Sequence, residues 1–365
     1  MQVSQLLEPA PKEQILTDYL KDASHAGYGV ADNEGCKVGV LMVNLGTPDE
    51  PTAPAIRRYL RQFLSDPRVI EIPKLVWWPI LNGPILTFRP SKLVQKYSGI
   101  WLTEGSPLLV YSERQASGVS SILKARGNKI RVEVAMRYGN PSIELGLNKL
   151  LSQGCEHILT VALYPQYAAS TTATVVDEVA RQASRLRNQP EMRFVKRFHV
   201  FEPYIRALAG KIENHWKTAG RAERLVLSFH GIPKRTVDLG DPYPFDCHET
   251  AEALAQHLGL SKSEYVVTFQ SRFGRAEWLQ PYTEPTLIEL AKSGVSSVDV
   301  ICPGFLADCL ETLEEISVEC RDAFIEAGGK TFRYISCLND DPQWIEGLAD
   351  LILQHTQGWP LGRCE

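Results

Sequence analysis

The chain has 365 residues, 44% of them hydrophobic and 22% charged, and a net charge of −4. That length suits about two domains, and the apolar content suits packed cores rather than a disordered chain. The acidic balance excludes the basic face of a nucleic-acid binder, and no apolar run approaches the ~20 residues that span a bilayer.

Residues 1–36 carry Glu8, Glu13, Asp18, Asp22, Asp32 and Glu34 against Lys12 and Lys21. A transit segment would be Arg-rich and acid-poor, and a secretory signal would have an apolar stretch. Neither pattern is present, so 1–36 reads as a polar extension of a cytoplasmic protein, with a short amphipathic helix at 13–22. The eight cysteines (Cys36, Cys155, Cys247, Cys302, Cys309, Cys320, Cys337 and Cys364) are scattered without a CxxC pair. That spacing fits neither a disulfide framework nor a zinc ribbon, and buried thiols in a reducing compartment are expected.

Short apolar, β-branched runs follow at 38–44, 130–136, 158–164 and 194–198, and again at 225–229, 265–269, 298–302 and 332–336. Segments with helical spacing lie between them, as at 143–153, 174–187 and 284–293. Alternation of this kind predicts βαβ units and parallel sheets, and the nearly continuous apolar strands predict burial on both faces. The long polar stretch 202–223 separates the two sets. The expected fold is therefore α/β, with two Rossmann-like lobes, each a roughly four-stranded parallel sheet flanked by helices, and a cleft between them. The expected boundaries are 37–200 for the first lobe and 201–343 for the second. A C-terminal helix and tail at 344–365 should pack back on the first lobe.

Ligands of such sheets bind beyond the carboxyl ends of the strands. There the sequence reads NLGTP at 44–48, RYGNP at 137–141, YPQY at 164–167, SFHGIP at 228–233, QSRFG at 270–274 and CPGF at 302–305. His230 ends a strand, and an imidazole titrating near neutrality can accept a proton or bind a metal; a hydrogen-bonded structural histidine is the alternative. In the helix after Pro303, Asp308, Glu311, Glu315 and Glu319 are spaced by three, four and four, which places them on one face. Such a row can hold or pass a divalent cation, or can be a solvated face that complements the helix dipole. The stretch 74–89, KLVWWPILNGPILTFR, is strongly apolar but broken by Pro79, Gly83 and Pro84, so it cannot be one helix. It reads either as core or as an exposed lip for a flat apolar ligand or a bilayer surface. Gly329-Lys330-Thr331 lacks the glycine that a P-loop needs at 324, which is Phe324, and neither GxGxxG after the first strand nor GxSxG occurs.

Taken together, these motifs, with GSP at 105–107, GDPYP at 240–244, WLQPYT at 278–283 and CPGFLADCLETLEEI at 302–316, resemble ferrochelatase, the terminal enzyme of haem synthesis, in the form found in Gram-negative bacteria. The resemblance runs from about Lys37 to about His355. It implies an ATP-independent lyase that inserts Fe²⁺ into protoporphyrin, with His230 and Glu311 as catalytic and metal-site residues. It also implies Glu315 on the acidic row, Arg137 and Tyr138 in the pocket, and Trp278 near the cleft; the helical spacing adds Asp308 and Glu319 as proton or metal relay candidates. The stretch 74–89 becomes the active-site lip, with peripheral membrane contact through 75–88. Porphyrin and ferrous iron are then the partners, and no cofactor is expected beyond that iron.

Two departures qualify the resemblance. Animal members carry a [2Fe–2S] cluster with one cysteine where this chain has Ala168 or Ala169, and only Cys364 lies near the C-terminus, so no cluster is expected. Many members have a histidine where this chain has Cys309. Rival readings are metallation of coproporphyrin, cobalt insertion into a sirohydrochlorin-type ring, and a non-catalytic haem- or metal-binding protein.

Overall fold

The structure, a computed structural model, describes residues 37–274 and 276–362. The polar extension at 1–36, with its expected helix at 13–22, and Cys36 and Cys364 lie outside the described residues.

Eight strands form two parallel sheets of four. In the first, β1 (Val38–Thr47) lies between β2 (Ile130–Gly139) and β3 (His157–Ala162), with β4 (Glu191–Val195) outside β3. The second repeats the order: β5 (Arg224–His230) lies between β6 (Tyr265–Gln270) and β7 (Ser297–Ile301), with β8 (Thr331–Ile335) outside β7. The central strands are the continuous apolar runs, and Val38–Val43 and Leu225–Phe229 are buried throughout. The edge strand β4 begins three residues before the expected run. Glu191 pairs with His157, and Val195 closes the strand. The apolar residues beyond it pack as loop, with Phe198 stacked on Trp344.

The helices are α1 (Ala53–Leu64), α2 (Lys74–Ile80), α3 (Leu86–Ile100), α4 (Pro107–Ala125), α5 (Ile143–Ser152), α6 (Thr174–Ala183), α7 (Glu202–Ala219), α8 (Lys234–Asp238), α9 (Tyr243–His257), α10 (Thr283–Lys292), α11 (Arg321–Glu326) and α12 (Pro342–His355). The polar stretch 202–223 is mostly α7, which buries Tyr204, Ile205, Leu208 and Ile212. Its charged residues take the opposite face, so a segment that reads as a spacer is an amphipathic helix of the core. α12 lies against α4 and α7. A Cβ at Gly347 would stand 2.8 Å from Pro203 Cβ, so the closeness of α12 to α7 requires glycine there. Through these helices one apolar cluster runs from Val38 and Val119 to Leu225, Phe229 and Trp344, and joins the two sheets.

The apolar stretch 74–89 is broken as its prolines require. α2 passes into a π-turn (Leu81–Ile85), the chain kinks at Gly83 (φ −80°, ψ −105°), and α3 resumes. Trp77 anchors it by donating from Nε1 to the Leu64 carbonyl at 2.7 Å, while Leu75, Val76, Trp78 and Phe88 are 92%, 56%, 59% and 64% exposed. No helix among the described residues is long and apolar enough to cross a membrane.

Candidate active site

In each sheet the strand order reverses beside the central strand, and the crevice at such a switch point is where open α/β sheets bind ligands. In the first sheet it opens between β1 and β3, where NLGTP and YPQY stand; in the second it opens between β5 and β7, where His230 and Gly304-Phe305 stand. These ends face one cavity of about 720 Å³, lined from both lobes and by the lip. Gly46 shows how tightly the wall is drawn. With φ at +114°, a Cβ there would lie 1.7 Å from the Tyr138 carbonyl oxygen, so only glycine fits.

His230 is half-buried, and its Nδ1 lies 2.6 Å from the Gly231 carbonyl. A carbonyl only accepts, so Nδ1 carries a proton, and in the neutral ring Nε2 keeps the lone pair. The Trp278 and Phe305 rings flank the imidazole, with centroids at 6.4 and 6.3 Å.

The acidic row stands on a π-helix, Glu311–Cys320, rather than on an α-helix. Its wider turn keeps residues four apart near one face, and Glu311, Glu315 and Glu319 all line the cavity together with Glu314. Ser271 donates to Glu315 from its backbone N (2.6 Å) and its Oγ (2.5 Å). To do so Ser271 adopts φ 64°, a left-handed conformation that costs a non-glycine residue on the order of 1 kcal/mol or more. Burial pushes the Glu315 carboxyl above its usual range and Glu311 adds to the rise, while the Ser271 hydrogen bonds and His230 pull it back. Gln270 joins the two walls. Its Nε2 donates to the Glu311 carbonyl at 2.9 Å, and its Oε1 accepts from Ser228 at 2.7 Å.

Three of the expected residues stand elsewhere. Asp308 does not line the cavity. It is buried, and accepts from Tyr334 Oη (2.5 Å), Asn339 Nδ2 (2.6 Å) and Thr312 Oγ1 (3.0 Å). It therefore anchors the turn before the π-helix instead of extending the acidic row. Asp308→Ala would leave these donors without their acceptor, and a loss of about 3 kcal/mol is expected in a urea titration; an unchanged midpoint would contradict this role. Arg137 and Tyr138 lie one layer behind the wall, where both donate to Asp66 Oδ2, at 2.5 and 2.8 Å. They hold the loop after α1 that leads to the lip. Arg137 and Tyr138 thus bond Asp66 and do not line the cavity.

The chain belongs to the ferrochelatase family. The ferrochelatase family model matches residues 37–356. The ferrochelatase of Bordetella pertussis is 64% identical over 326 residues, covering 89% of this chain and 90% of that protein. The ferrochelatase of Herminiimonas arsenicoxydans is 57% identical over 324 residues, covering 89% and 88%. Among solved structures, SirB from Bacillus subtilis with Fe³⁺ aligns with a TM-score of 0.53 at 16% identity, over 90% of this chain and 100% of that one; this likeness is one of fold.

Within this cavity, Arg89, Tyr97 and Tyr59 are lining residues to which the motifs give no role. Arg89 places its guanidinium 4.8 Å from the Phe273 centroid, and burial lowers its pKa while Glu311 opposes the fall. Tyr97 and Tyr59 line the cavity with phenol pKa values pushed up, first by burial. Cys309 reaches the wall, and burial followed by Glu311 pushes its thiol up. Arg89 and Tyr97 lie eight residues apart on α3, a helical spacing that could have been followed past the lip. Among the described residues, only His199, Asp246 and Glu249 bring three ligand atoms within 4.8 Å of one another. They lie outside the cavity wall, and Arg197 donates to Asp246 at 2.6 Å. His230, Glu311 and Glu315 form no such closed cage.

Proposed function

We propose that this chain inserts ferrous iron into protoporphyrin IX, without ATP, releasing two protons and forming protohaem. One observation carries the reading: a large, mainly apolar cavity has an imidazole with a free Nε2 on the second sheet's switch point and carboxylates on a π-helix beside it. A flat apolar macrocycle suits such walls. Its two pyrrole N–H groups need a base, and His230 Nε2 is that base or the first contact of the metal. Glu311 assists as proton acceptor or metal ligand. Glu315, whose burial favours the protonated form, passes protons toward Glu319 and solvent. An open donor set of one imidazole and carboxylates binds Fe²⁺ without trapping it. Arg89, at the cavity wall, is a cation suited to a carboxylate on the macrocycle edge.

No cluster takes part in this reading, because Ala168 or Ala169 stands where the family resemblance places the one cysteine that animal members carry in this segment. The test is a spectrophotometric assay with Fe²⁺ or Zn²⁺ and protoporphyrin, coproporphyrin or sirohydrochlorin. Turnover is expected on protoporphyrin; preference for either other ring, or binding of haem without turnover, would replace the reading.

The exposed lip supports docking on a membrane surface, where an apolar substrate is held. Leu75→Asp with Trp78→Asp is expected to lower co-sedimentation with phospholipid vesicles about tenfold or more, since each change removes exposed apolar area from contact with lipid. Undiminished co-sedimentation would exclude the lip as the docking surface.

A further inference from the structure

The acidic face of the π-helix is already occupied by a cation of the chain itself. On α3, Arg89, Leu93, Lys96 and Tyr97 all line the cavity. The Lys96 ammonium bonds Glu319 directly and lies 3.8 Å from Glu314. Glu314 and Glu319 are five residues apart. In an α-helix that spacing turns them about 140° from each other, whereas i→i+5 winding stacks them one turn apart. The π-helix therefore makes the pair of carboxylates that one ammonium can bridge. The bridge also ties two walls of the cleft, because α3 continues the lip and the π-helix belongs to the second lobe.

We propose that Lys96 is a positioning residue that competes with the incoming metal: a divalent cation reaching Glu314 and Glu319 displaces the ammonium and in the same step frees α3 from the π-helix. The proposal rests on the metallation reading above. It follows from charge. Two carboxylates at one spot repel each other, and an ammonium relieves that repulsion with one positive charge where the metal brings two. With both partners partly exposed, the pair is weak enough to be displaced. Lys96 thus sets how much metal is needed and joins metal arrival to release of the lip helix.

The test uses the full chain and Lys96→Met. Removing the competitor is expected to lower the KM for Zn²⁺ about three- to fivefold, the range of an exposed ion pair, with the KM for protoporphyrin unchanged. Lys96→Arg should restore the wild-type value. In hydrogen exchange with Zn²⁺ alone, amides across 86–100 should exchange faster in the wild type on adding metal. In Lys96→Met they should already be fast and respond no further. An unchanged Zn²⁺ KM, a joint shift of both KM values, or no effect of Zn²⁺ on wild-type exchange would overturn the proposal. If the wild type metallates no porphyrin, the metallation reading fails, and the exchange experiment still decides the displacement of Lys96.

Discussion

His230→Ala is expected to lower metallation by about 10²- to 10⁴-fold, the range for removing a positioned general base, while porphyrin still binds. No other histidine lines the cavity among the described residues. The Gly231 carbonyl fixes the tautomer that leaves Nε2 free, and the two flanking rings orient the imidazole without competing for that nitrogen. Alanine removes the lone pair and leaves those walls in place. Porphyrin binding followed by fluorescence, alongside initial rates with Zn²⁺, separates the two effects. A variant that turns over at nearly the wild-type rate would remove His230 from the chemistry.

Glu311→Gln is expected to reduce the rate by about 10²-fold or more through the loss of one acid–base group, and Glu315→Gln to act differently. Glutamine at 315 still accepts from Ser271 N and can donate to Ser271 Oγ, so the geometry survives while ionisation is lost. Burial holds the wild-type Glu315 carboxyl above its ordinary range. Between the ordinary value and the raised one, the native state binds more protons than the unfolded state at this site. That contribution to stability is therefore complete at low pH and fades as pH rises through the raised native value. Urea titrations across that window should show the wild type losing stability relative to Glu315→Gln as pH rises. The reverse slope would mean that the Ser271 and His230 interactions outweigh burial. An unaffected metallation rate in Glu311→Gln would leave Glu311 outside the mechanism.

The strand runs and their order were legible because central parallel strands are apolar on both faces, which composition alone reveals. The edge strand β4 was harder to place, since its exposed side carries Glu191 and Arg193 and its apolar neighbours pack as loop. The helical character of 202–223 was missed for a related reason. A one-sided helix with charge on the other face reads as polar when averaged along the chain.

By itself the sequence determined that His230 ends a strand, that Glu311, Glu315 and Glu319 share a helical face, and that 74–89 is apolar but broken at its prolines and glycine. Those are local facts, set by spacing and backbone chemistry. Only the tertiary structure decided which neighbours those residues meet. It wound the carboxylate row as a π-helix, turned Asp308 inward to Tyr334 and Asn339, set Arg137 and Tyr138 on Asp66 behind the wall, and brought Lys96 across to Glu314 and Glu319. Each of these depends on which distant segments pack together, and a charged side chain takes its role from the partner that neutralises it.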